Sequence, residues 1–173
     1  MLQQTLGALV AGAVLATSSP LCAQVNVKSD GTTTVFSVGP AGNSGGFNLS
    51  AAFQCPDGFD CNPGVVRLIL STQSQTTIHN YDHAVSFLID SSVTVSTPKT
   101  QYVQRKGLKN KKHEAIVCMI PIREFLSLAA AHEVEYQVGP TTGQLSKKQL
   151  EILASLADRI VPAPVPDSEV PDS

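Results

Sequence analysis

The sequence predicts an α+β fold, a mostly antiparallel, sandwich-like β-sheet followed by two C-terminal helices. Its first two thirds contain about seven short runs of β-branched or alternating apolar residues, separated by turn residues. Its last third changes to the spacing of an amphipathic helix. A capping box, Ser146 followed three residues later by Gln149, marks the start of the second helix.

The predicted strands are short and are bounded by Gly, Pro, Asn or Asp. In the run 47–55 (FNLSAAFQC), residues 47, 49, 51 and 53 share an apolar face, which indicates a half-buried strand. Residues 39–46 and 72–83 are polar or glycine-rich and are predicted to be connections. The other predicted strands are 32–38, 65–71, 84–90, 92–96, 100–106 and 113–120.

The C-terminal third combines two predicted helices with one strand. Residues 121–132 are predicted to form a helix whose first turn holds Pro121 and whose apolar face holds Ile122, Phe125, Leu126 and Ala129. Apolar and polar residues alternate in 133–139, which indicates a strand with one face exposed to solvent. Residues 140–143 are predicted to be a loop. The second helix, from 147 to about 160, has an apolar face that we expect to close over the sheet. The residues of that face are Leu150, Leu153, Ala157 and Ile160.

The N-terminal residues 1–23 are typical of a signal peptide cleaved after Ala23, so we expect a secreted or periplasmic protein. Cleavage after Ala16 and lipid anchoring at Cys22 are alternatives. After cleavage we expect a flexible segment 24–31, a single β-rich domain 32–161 and a disordered, proline-rich acidic tail 162–173. No later segment is long and apolar enough to predict a transmembrane helix.

Cysteine usage agrees with export. Cys55 and Cys61 flank a loop turned by Pro56 and Gly58, and in an oxidising compartment we predict a disulfide between them. Cys118 lies in an apolar run and is predicted to be a buried thiol, with a bridge to another cysteine as the alternative.

The composition excludes several classes of protein. The chain has 173 residues with 15% charged residues, 42% hydrophobic residues and a formal net charge of −2, unlike a highly charged disordered protein. Because the chain has no excess of positive charge to attract phosphate groups, we do not expect a nucleic-acid partner. Aromatic residues are 5% of the chain and Trp is absent, which disfavours base-stacking and sugar-stacking sites.

The segment 42–46 (GNSGG) resembles the nucleophile motif of trypsin-like serine proteases, with Ser44 as the nucleophile. In that family the catalytic His and Asp precede the serine, whereas no His lies between Gln24 and Ser44. A serine without a base is not activated, so we interpret the segment as a glycine-rich hairpin loop.

Two further clusters suggest metal ligands. His79, Asp82 and His83 fall within five residues and could bind zinc or copper if His113 or His132 supplied a third imidazole. The oxygen-rich set Asp57, Asp60 and Asn62 suggests calcium, but its spacing differs from that of an EF-hand loop and is also typical of turns. No cofactor is implied by any motif.

A basic run predicts the contact surface. Its residues are Arg105, Lys106, Lys109, Lys111 and Lys112, and they are expected at a hairpin tip that could meet an anionic surface or an acidic protein. Glu133 and Glu135 share one strand face and are interpreted as solubilising. We therefore expect an exported, non-catalytic binding protein that presents the loops 55–61 and 105–113 as contact surfaces. The alternatives are a small metal-dependent hydrolase using His79, Asp82 and His83, and a structural subunit of an envelope or secreted assembly.

Overall fold

The computed structural model describes residues 24–42, 46–57, 61–79, 81–97, 100–107 and 111–160. Ten strands and two helices lie in this part of the chain. The first strands are β1 (Asn26–Ser29), β2 (Thr33–Ala41), β3 (Asn48–Pro56), β4 (Val65–Ser74), β5 (Val85–Ile89) and β6 (Val93–Thr97). The remaining elements are β7 (Thr100–Lys106), β8 (Lys112–Pro121), α1 (Ile122–Ala129), β9 (Val134–Val138), β10 (Thr141–Gln144) and α2 (Lys147–Ala157).

The strands form two antiparallel sheets, which confirms the predicted fold class. The six-stranded sheet has the order β1-β2-β3-β4-β8-β7, and the four-stranded sheet has the order β10-β9-β5-β6. The chain changes sheet between β4 and β5, between β6 and β7, and again through α1 between β8 and β9. Because β4 pairs with β8 along its whole length, the end of β4 lies beside the end of the β7–β8 hairpin.

One hydrophobic core joins both sheets and both helices. Leu68 of β4, Ile116 of β8 and Phe87 of β5 are fully buried in it. The alternation predicted for β3 is present, with Leu49 buried and Asn48 exposed. Since side chains alternate across a strand, each sheet directs one face to the core and the other to solvent.

The two helices pack against each other, with α2 against β2 and β3 and α1 against β8 and β4. Their apolar faces differ in part from the predicted ones. In α1, Leu126 is 40% exposed and Leu128 is buried in its place. In α2, Ile152 and Leu156 are buried together with Leu153, while Leu150 is only partly buried. The predicted faces are thus largely present, since Phe125, Ala129, Leu153 and Ile160 are buried, and the sheet additionally covers Leu128, Ile152 and Leu156.

Three local assignments also differ from the sequence-based expectation. The segment 24–31 was expected to be flexible, but it contains β1, which pairs with β2 although all four of its residues are exposed. The predicted loop 140–143 belongs largely to β10, which pairs with β9. Pro121 ends β8 and occupies the N-cap position before α1 without a capping hydrogen bond, so it is not in the first turn of the helix.

The predicted disulfide between Cys55 and Cys61 is present, with a Cα–Cα distance of 5.6 Å. Cys118 is a free, buried thiol, and burial raises its pKa to about 12. Such a thiol is almost wholly protonated near neutral pH and is a poor nucleophile. No helix in the described ranges is long and apolar enough to cross a membrane.

Candidate functional site

The basic residues of β7 and β8 face one another at the end of the hairpin. Lys106 pairs directly with Lys112, and Arg105 pairs with His113. The backbone N–H of Gly107 donates to the carbonyl of Lys111 at 2.7 Å and closes the described ends of the turn. We call the four cations Arg105, Lys106, Lys111 and Lys112 the basic tip. Lys109, which was predicted with them, lies outside the described residues.

The basic tip has no acidic partner within the described ranges. The one ion pair found there joins Lys147 and Glu151 of α2 at 3.9 Å. Like charges on directly opposed positions of a hairpin repel each other, which destabilises the pairing of the two strands. The tip therefore carries an unfavourable charge arrangement that a negatively charged partner would relieve.

A buried carboxylate lies two residues from the tip, on the core side of β8. Both oxygens of Glu114 accept from the backbone N–H of Ile78 at 3.1 Å, and one of them also accepts from the N–H of His79. The Tyr102 hydroxyl donates to the same carboxylate at 2.7 Å. Glu114 is fully buried and forms no ion pair with a Lys or Arg of the described ranges, so backbone and hydroxyl donors replace the water that it has lost.

These hydrogen bonds decide the ionisation of the cluster. Burial by itself favours the neutral acid, but the donors of His79, Tyr102 and Ile78 together hold the pKa of Glu114 below its usual range. Burial and the neighbouring carboxylate raise the pKa of Tyr102 to about 12. Glu114 is thus a charged anchor that fastens the connection between the two sheets to β8.

Two of the predicted histidines, His79 and His83, lie beside this cluster. His79 is 1% exposed and packs on Phe47, with ring centroids 5.1 Å apart. The His83 ring lies 5.7 Å from the Tyr102 ring. The Nδ1 atoms of both histidines are buried without a hydrogen-bond partner.

The structure places the predicted metal ligands in different surroundings. Asp82 is exposed, and its carboxylate accepts from the backbone N–H of Ala84 at 3.2 Å. His113 lies on the opposite face of β8 from Glu114. His132 lies in an exposed segment after α1. Among the described residues, no group of three or more His, Cys, Asp or Glu side chains is arranged to hold a metal ion. The histidine metal site stays a prediction.

The other candidate residues are placed as follows. Asp57, proposed for calcium, accepts hydrogen bonds from the hydroxyls of Ser29 and Thr34 at 2.7 and 2.6 Å, which tie β1 and β2 to the end of β3. Asn62 is exposed. Ser44 and Asp60 lie outside the described residues.

A polar hollow on the four-stranded sheet was not predicted from the sequence. It has a volume of about 530 Å³ and opens on the face of that sheet that points away from the core. Glu133, at the entry to β9, accepts from the Gln144 amide at 2.6 Å, and Glu135 is exposed on the same strand. Its lining residues with polar or charged side chains include Ser86, Thr94, Glu133, Glu135, Gln137 and Gln144. Hydroxyl, carboxylate and amide groups share the lining with Phe87, Leu88 and Tyr136, and no Lys, Arg or His is among the lining residues.

The burial of His79 makes the fold sensitive to acid. Burial lowers the pKa of His79, although the carboxylates of Glu114 and Asp82 oppose this. As pH falls below about 6.5, the unfolded chain takes up a proton that folded His79 does not, so stability decreases until the pH reaches the lowered folded pKa. Glu114 acts with the same sign at lower pH, because its stabilisation is present above the unfolded pKa and is lost below it.

We therefore expect the free energy of unfolding to decrease between pH 7.5 and pH 5.5, and to decrease less in the His79→Gln variant. Urea unfolding at several pH values measures this, and the other three histidines are common to both proteins. Equal pH slopes for the two proteins would contradict the assignment to His79.

Comparisons with known proteins give no relative. No protein-family model, no curated protein and no solved structure matches the chain. The fold and its surfaces define a disulfide-bonded, two-sheet β-sandwich with two C-terminal helices.

Proposed function

We propose that this protein is an exported, non-catalytic binding protein that contacts negatively charged partners through the basic tip. The observation that carries the proposal is the facing pair Lys106 and Lys112, which has no acidic partner within the described part of the chain. Arg105 and Lys111 add positive charge close to this pair, although Arg105, which pairs with His113, lies on the other face of the hairpin. An anionic partner that approached it would replace repulsion by attraction, and long-range attraction would also accelerate the encounter.

Export is supported by two features. The N-terminal sequence is typical of a signal peptide, and the Cys55–Cys61 bond is of a kind that persists in oxidising compartments. The non-catalytic role is supported by the properties of the candidate nucleophile and base. The free Cys118 has a raised pKa and is buried, and the unpartnered nitrogen of His79 is buried beside Phe47.

Binding to heparin, used as a probe of dense negative charge, tests the proposal. The protein is expressed with its own leader and recovered from the exported fraction. We expect the double variant Lys106→Gln/Lys112→Gln to bind heparin about 10-fold more weakly than the wild type, taking about 0.7 kcal/mol for each exposed ion pair lost. Higher salt should reduce the difference, because exposed charges are screened.

The matched control is Lys147→Gln/Lys148→Gln, which removes the same charge from two exposed lysines at the start of α2. It should retain wild-type affinity, or nearly so, if binding is confined to the tip. Equal losses in the two double variants would show only a response to net charge and would overturn the proposal. Vesicles containing phosphatidylglycerol, used beside heparin, distinguish a lipid from a carbohydrate partner.

A further inference from the structure

The polar hollow and the basic tip are opposite in charge and in shape. Glu133 and Glu135 contribute two carboxylates to the hollow, and neither is in an ion pair with a described residue. The volume of about 530 Å³ falls within the range of pockets that enclose a small ligand or a few side chains. The tip, in contrast, projects four cations from the end of a two-stranded hairpin.

The two surfaces cannot meet within one molecule. The hollow lies on the side of the four-stranded sheet away from the core, as the buried Tyr136 between exposed Glu135 and Gln137 shows. The tip belongs to the six-stranded sheet, which lies on the other side of that core. A tip that enters a hollow must therefore come from a different molecule.

We propose that the partner of the basic tip is the polar hollow of a second copy of this chain. The lysines of one molecule would lie against Glu133 and Glu135 of the next, and the hydroxyl and amide groups of the hollow would accept hydrogen bonds from the remaining ammonium protons. This inference rests on the proposed function, because it names the acidic partner that the tip binds.

The proposed contact is head-to-tail, because the tip and the hollow are different surfaces. Such a heterologous contact leaves a free tip at one end of the pair and a free hollow at the other. Association therefore continues into a ring or an open chain. The contact is made largely by exposed charges, so it weakens as ionic strength rises.

Reciprocal charge reversal tests the inference. The tip variant Lys106→Glu/Lys112→Glu has an acidic tip and an acidic hollow, and the hollow variant Glu133→Lys/Glu135→Lys has a basic tip and a basic hollow. Sedimentation velocity at 50 mM and 500 mM NaCl measures association. We expect the wild type to associate at low salt with rising protein concentration and to be monomeric at high salt. Each variant alone should be monomeric at both salt concentrations, and an equimolar mixture should associate again.

The outcomes separate this inference from the proposed function. A wild type that is monomeric at every concentration, with heparin binding that still depends on Lys106 and Lys112, would overturn self-association alone. Association that persists in both variants would place the contact elsewhere and would likewise overturn it. Circular dichroism and thermal unfolding of each variant establish that it is folded, so restored association in the mixture cannot be explained by a folding defect.

Discussion

Replacing Glu114 by alanine is expected to lower the free energy of unfolding by about 3–5 kcal/mol, because three donors around a fully buried carboxylate lose their acceptor together. The donors are the backbone N–H groups of Ile78 and His79 and the hydroxyl of Tyr102. Glu114 is fully buried and the His79 N–H is buried with it, so this donor finds no water in exchange for the carboxylate. Urea unfolding at pH 7.5 measures the loss.

Two variants separate the hydrogen bonds from the volume of the side chain. Tyr102→Phe removes one donor and leaves the carboxylate bound to the two backbone groups, so we expect a loss of about 1–2 kcal/mol. Glu114→Gln retains the size and one acceptor oxygen, and its loss should lie between those of the other two. If Glu114→Ala costs no more than Tyr102→Phe, the carboxylate does not anchor the connection 75–84.

The anchor has a consequence for the surface beside it. Tyr102 and Glu114 join β7, β8 and the connection between the sheets within a few residues of Lys106 and Lys112. Rigid support matters at this place because the facing lysines repel each other and would otherwise separate the ends of the two strands. The buried cluster thus supports the pairing of β7 and β8 beside Lys106 and Lys112, which is a positioning role.

Glu114 could have been found from the sequence, since in the run 113–120 it shares a face with Ile116, Cys118 and Ile120. A single acid on the buried side of a strong strand indicates that a carboxylate enters the core with donors around it. Its donors could not be predicted, because Ile78 and His79 lie 36 and 35 residues away along the chain. Only the packing of two sheets brings them together.

Strand existence was predictable where local composition and burial agree. The runs that became β3, β4 and β8 combine β-branched or alternating apolar residues with a buried face. The edge strand β10 was predicted as a loop because its sequence contains Gly143 and follows Pro140. The Tyr136 ring on the paired strand lies so close to Gly143 that a Cβ there would be 2.5 Å from its hydroxyl. Glycine is therefore favoured at this position by a contact between two strands, and rules based on local sequence do not include such contacts.

The capping box of α2 shows the same division between local and distant causes. Ser146 and Gln149 cap the helix as predicted, with the Gln149 side chain accepting from the Ser146 N–H at 2.8 Å. The same amide also donates to the carbonyls of Phe47 at 2.8 Å and Ala41 at 3.3 Å, more than 100 residues earlier. One fully buried side chain therefore begins the helix and fastens both ends of the β2–β3 connection to it.

Replacing Gln149 by alanine is expected to lower the free energy of unfolding by about 2–4 kcal/mol, because the side-chain half of the capping box is lost and two buried carbonyls lose a donor. Thermal or urea unfolding gives the value, and Ser146→Ala supplies the cost of the cap alone, about 1 kcal/mol. Gln149→Glu retains the acceptor for Ser146 but places a carboxylate against the two carbonyls. It should therefore destabilise the protein at least as much as alanine does at pH 7. If Gln149→Ala and Ser146→Ala cost the same, the contacts with Ala41 and Phe47 contribute nothing, and α2 is held to β2 and β3 by its apolar face alone.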